Sequence, residues 1–99
     1  MVKVVWTELS TTDLKEIFDY IADDSVRYAS ITANKIYQRV QLLSHNSLMG
    51  RIVPEFNKKE IRALIEGNYR IIYLLKNASE ITILRVFHTA RLLRKKSLK

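Results

Sequence analysis

The polar residues that could do chemistry lie in the second half of the chain: Arg51, Glu55, Arg62, Tyr69, Arg70, Tyr73, Arg85, His88 and Arg91. A carboxylate, several guanidiniums and an imidazole near one sheet are the parts needed to cut a phosphodiester. A base takes the proton of a 2′-hydroxyl, a cation holds the phosphate, and an acid protonates the leaving oxygen. Tyrosines would add stacking platforms for RNA bases. The same residue types also serve ordinary ends. Tyr73 suits a core, Arg62 and Glu66 suit a solvated strand face, and His88 suits a half-exposed strand end.

Other chemistries are excluded by what is missing. There is no GxGxxG, P-loop, GxSxG elbow or HExxH motif. The chain has no Cys and two His, at 45 and 88, which rules out thiolate zinc sites and disulfide scaffolds. No metal or cofactor is expected. The opening MVKVVWTEL lacks an apolar signal core, and the longest strongly apolar run, Ile71–Leu75, is far too short to span a bilayer. A cytoplasmic location is therefore expected, with no membrane partner.

The elements that must position these residues are legible in the spacing. Ninety-nine residues with 47% apolar content and only two Gly and one Pro make one small domain with short connections. Alternation predicts a strand over 2–7. Ser10 or Thr11 is expected to cap a helix running to about Asp23, with Leu14, Ile17, Phe18 and Ile21 as its buried stripe. Ser25 caps a second helix, whose stripe is Ala29, Ala33, Ile36, Val40 and Leu43. Pro54 restricts 47–58 to loop or sheet edge. Strands follow over 61–66, 69–75 and 80–87, with Gly67-Asn68 as a two-residue hairpin turn. The expected fold is α+β in the order β-α-α-β-β-β: an antiparallel sheet with a helical hairpin packed on one face. The run 71–75, apolar on both faces, belongs in the middle of the sheet.

Register decides whether the candidate residues meet. The Gly67-Asn68 turn pairs Ile65 with Arg70. A three-residue turn at 77–79 would put His88 on the same face as Arg70, and a two-residue turn at Asn77-Ala78 would turn it away. The sequence leaves both open.

Charge is uneven. The net formal charge is +7, yet residues 1–24 carry −4 and residues 85–99 carry +6 with no acid. A basic end suits a polyanion or acidic protein target, or simply a solvated tail.

Five segments together resemble the RelE/ParE superfamily of toxins from type II toxin–antitoxin, or plasmid stabilisation, systems. They are VVWTELSTTDLKEIFDYIADDS, the second helix from Ala29, GRIVPEF at 50–56, EIRALIEGNYRIIYLL at 60–75 and ITILRVFHTARLL at 81–93. The resemblance implies one toxin domain over 1–99 with a basic tail at 88–99, neutralised by a cognate antitoxin in a hetero-oligomer. It also implies one of two activities. One branch inhibits DNA gyrase and arrests replication; VPEF and VFHTARLL with a continuing tail resemble this ParE-like branch more. Docking would then use the exposed sheet face and basic residues Arg62, Arg85, Arg91, Arg94, Lys95 and Lys96. The other branch cuts mRNA on the ribosome, and its catalytic positions match Glu55, Arg70 and His88. The C-terminal Tyr of some cleaving members has no match, since Thr89 follows His88.

Overall fold

A computed structural model describes residues 1–89. The chain runs β1 (Lys3–Trp6), α1 (Glu8–Ala22), α2 (Val26–Gln41), a 3-10 turn (Leu42–Ser44), β2 (Arg51–Ile52), β3 (Ile61–Glu66), β4 (Tyr69–Asn77) and β5 (Glu80–His88). The strands form one sheet in the order β1-β5-β4-β3-β2, with β4 in the centre as its apolar faces require. The fold is α+β as expected, with one correction to the sheet. It is mixed: β2 to β5 are antiparallel, but β1 lies parallel to β5, Lys3 opposite Glu80 and Trp6 opposite Ile83. The two-helix crossover between β1 and the remaining strands permits that orientation. The extra strand β2 is a two-residue edge that stops before Pro54.

Helix α1 starts earlier than Ser10. Thr7 is the N-cap, its hydroxyl oxygen accepting from the Ser10 amide at 3.0 Å while donating to the Ile83 carbonyl at 2.8 Å. One side chain thus caps the helix and ties its start to β5. Ser25 caps α2 in the same way, through the Tyr28 amide at 3.0 Å. Ala29, Ile36, Val40 and Leu43 are fully buried. Ile36, Val40 and Leu43 pack with Leu64, Ile71, Tyr73, Ile81, Ile83 and Val86 between the hairpin and the sheet, with Leu14 and Ile17 from α1 packed against them. The face without helices is not bare. Val53 and Phe56, from the loop after β2, cover Ile72 and Phe87 there.

A knot at Gly50 fixes that loop. The buried Tyr73 hydroxyl donates to the Ser47 carbonyl at 2.8 Å and accepts from the Gly50 amide at 2.9 Å. Arg62 donates to the carbonyls of Gly50 and Lys59, each at 3.0 Å. A Cβ on residue 50 would stand 2.7 Å from the Ala63 carbonyl oxygen and from the Tyr73 ring, so glycine is required by space. Tyr73→Phe removes the hydroxyl from the buried Gly50 amide and the half-buried Ser47 carbonyl. It is expected to lower unfolding free energy by about 1–3 kcal/mol, read as a lower urea midpoint at unchanged m-value.

Candidate functional site

Two of the three candidate catalytic residues meet on the loop-covered face. Glu55 projects from the loop at 53–57, which turns back at Asn57 with φ of 49°, a left-handed conformation that asparagine tolerates. Its carboxylate accepts from both terminal nitrogens of Arg70, at 3.2 and 3.4 Å. Arg70 stands opposite Ile65 on β3, as the Gly67-Asn68 turn dictates, and opposite Phe87 on β5. The forked hydrogen bonds from Arg70 hold the Glu55 carboxyl below its usual range, helped by a backbone hydrogen bond of its own. The sign of the pH effect follows. A lowered carboxylate pKa contributes stability above the ordinary value of about 4.3, which is lost as pH falls through the lowered one. Urea midpoints measured from pH 7 down to 3 should fall less steeply in Glu55→Gln than in the parent at the acid end.

His88 is elsewhere. The β4–β5 turn is two residues, Ala78-Ser79, with Asn77 opposite Glu80, and register shifts at 72/73 and 75/77 cancel each other's change of face. His88 therefore opposes Tyr69, not Arg70, and meets its ring edge-on at a centroid distance of 5.6 Å. It lies on the helix-covered face. There a cleft of about 510 Å³ is bounded by Asp13, Glu16, Ile17 and Tyr20 of α1 and by Tyr69, Val86 and His88 of the sheet. The face shared by Arg70 and His88, which a three-residue turn would have produced, does not form.

Arg62 and Arg85, expected to meet a target, are engaged inside the domain. Arg62 holds the Gly50 knot. Arg85 forms a two-pronged pair with Asp13 at 2.7 and 3.0 Å, and its guanidinium lies 4.6 Å from the centre of the Phe87 ring. Asp13 also accepts from the Val86 amide at 2.9 Å, on the stretch of β5 that β1 does not reach. An acid near a helix start, as Asp13 is, ordinarily reads as one that the helix dipole favours. The usable signal was its position: Asp13, Ile17 and Ile21 recur at four-residue spacing, so an acid stands on the buried stripe and needs a partner. Arg91, Arg94, Lys95 and Lys96 lie outside the described residues. No group of three or more potential metal ligands occurs among the described residues.

A small mixed sheet under a helical hairpin is the architecture of the toxin class to which the sequence motifs point. Residues 4–93 match the ParE toxin of type II toxin–antitoxin system, parDE, and the chain belongs to that family, within the wider ParE/RelE superfamily. The solved chromosomal ParDE system of Pseudomonas aeruginosa is similar, with 25% identity, 89% of this chain and 96% of that one covered, and a TM-score of 0.73. The RelBE2 toxin–antitoxin complex of Mycobacterium tuberculosis shares the fold at 20% identity, with 88% and 96% covered and a TM-score of 0.59. So does the YoeB dimer of Staphylococcus aureus, at 15% identity, with 88% and 97% covered and a TM-score of 0.58. No curated protein is a detectable sequence relative.

Proposed function

We propose that this toxin arrests growth by binding DNA gyrase and blocking replication, and that a cognate antitoxin neutralises it by direct contact. The observation that supports the binding mode over RNA cleavage is the β4–β5 register. Phosphodiester cleavage through Glu55, Arg70 and His88 needs cation, base and acid around one phosphate. Here Arg70 faces the loop and His88 faces the helices. Glu55 and Arg70 meanwhile satisfy each other's charge. The P. aeruginosa and M. tuberculosis relatives are toxin–antitoxin systems, which supports a protein antitoxin here.

The test pairs two assays on the purified full chain: supercoiling by gyrase, and integrity of mRNA on translating ribosomes. Inhibited supercoiling with intact mRNA is expected, and Arg70→Ala and His88→Ala should each inhibit within about threefold of the parent. If mRNA is cut within codons, and the cutting slows about 100-fold or more in Arg70→Ala, the binding reading is replaced by a ribosome-dependent nuclease.

A further inference from the structure

The hairpin end carries a surface that neither the core nor the proposed activity uses. Around the α1–α2 connection, Tyr20, Val26, Tyr28 and Ile31 expose 81, 63, 60 and 41% of their surface. Tyr28, Ile31 and Lys35 form one wall of a groove of about 220 Å³, with Glu66, Gly67 and Asn68 opposite and Ile21, Ile36 and Tyr69 between. The aromatic groups converge. The phenol of Tyr69 is pushed up by burial and, to a lesser extent, by the nearby Tyr28 and Tyr20. Tyr69 lines both this groove and the neighbouring cleft that Tyr20 borders, so Tyr20, Tyr69, Tyr28 and Ile31 form one apolar run, and such a patch on a small domain marks an interaction surface.

Its two rims carry opposite charge. On the α1 side stand the exposed acids Glu16, Asp19, Asp23 and Asp24, relieved by Lys15, which is paired with Asp19. On the α2 side stand Arg27, Lys35 and Arg39, and α2 contains no acid. A uniformly acidic or basic partner would suit one rim and be repelled by the other. Nucleic acid would meet the acids and leave the tyrosines and Ile31 unused. A patch with an apolar centre between an acidic and a basic rim is complementary to itself under a twofold rotation.

The spacing agrees. The helices run antiparallel, so a twofold axis through the patch exchanges the near and far ends of the hairpin as well as its rims. Asp23, at the near end of α1, then lies toward Lys35 of the partner, and Glu16 toward Arg27 of the partner. At a rise of about 1.5 Å per residue, Glu16 and Asp23 are about 10 Å apart along α1, and Arg27 and Lys35 are about 12 Å apart along α2. We propose that a second copy of this chain docks on the Tyr20–Tyr28 patch, forming a symmetric dimer with α1 of each protomer against α2 of the other. This dimer is independent of the gyrase reading.

Sedimentation velocity of the full chain tests it, at concentrations up to about 100 µM and at low and high salt. A dimer is expected, weakened at least tenfold by high salt as exposed charge pairs require. Tyr28→Ser should weaken it at least tenfold with an unchanged melting temperature, because Tyr28 is exposed. Asp23→Lys and Lys35→Asp should each weaken it as well. Both substitutions in the same chain should restore it, because the twofold brings the exchanged charges together again. Lys35→Asp is decisive on its own: it lowers the net positive charge, so if general repulsion governed association it would strengthen the dimer instead. A chain that stays monomeric at 100 µM overturns the proposal. So does a dimer indifferent to Tyr28→Ser, or one that the paired exchange does not rescue. If the chain alone is monomeric but Tyr28→Ser and Lys35→Asp abolish capture of a co-expressed antitoxin, the patch belongs to that partner and the dimer is refuted.

Discussion

Asp13→Ala is expected to destabilise the domain by about 3–5 kcal/mol, the range for breaking a buried ion pair from one side. The carboxylate takes both prongs of Arg85 and the Val86 amide, and its side chain is 6% exposed. Removing it takes a charged acceptor from a largely buried guanidinium and from the Val86 amide, next to a stretch of strand that β1 does not cover. A loss of this size is a large share of the stability of a small domain, so part of the variant is expected to be insoluble at 37 °C. Removing both charges separates the contributions. Asp13→Leu combined with Arg85→Met should recover at least half of the loss in urea unfolding, since apolar replacements of a buried pair leave no stranded charge. Equal stability of Asp13→Ala and the parent would show that Asp13 does not hold α1 to β5.

Deleting residues 94–99 is expected to have the largest effect on toxicity. It removes Arg94, Lys95, Lys96 and Lys99 from a segment that holds most of the net charge. It removes nothing from the two described core clusters. Thermal stability should therefore stay within a few degrees of the parent. Inhibition of gyrase should weaken at least about tenfold at low ionic strength, through slower association, and the difference should shrink toward about 0.5 M salt. Arg62→Ala and Arg85→Ala should behave differently. Their charges are engaged at the Gly50 knot and at Asp13, so they should register first as lost stability. An unchanged salt response after the deletion would reduce the tail to a solubilising end.

Much of this was readable before any coordinates. The α2 stripe declared its buried face through small and branched residues at helical spacing. Register between β3 and β4 followed from Gly67, whose φ of 58° allows a two-residue turn and leaves one possible pairing. The β4–β5 pairing was hidden because Asn77-Ala78-Ser79 accepts more than one turn, and because the two compensating irregularities have no signature in side-chain alternation. That one ambiguity governed the candidate site, since it alone decided whether His88 joined Arg70. The roles of Arg62 and Arg85 were hidden for another reason. A basic residue on a strand reads as a solvent-facing charge until its partner, distant in sequence, is known. Arg85 and Asp13 are 72 positions apart.

The parallel pairing of β1 with β5 also sets when the sheet can be completed. Among the described residues β1 has β5 as its strand neighbour, and β4 has one side unpaired until β5 arrives. The strand made first must wait for the strand made last. A nascent chain that has passed β3 still lacks β5, the strand against which α1 packs, and contacts this far apart in sequence are slow to close. At about 5–20 residues per second, synthesis of these 99 residues takes roughly 5–20 s. For that interval the polypeptide exists without its folded surface, and a chain stalled before residue 80 never acquires one.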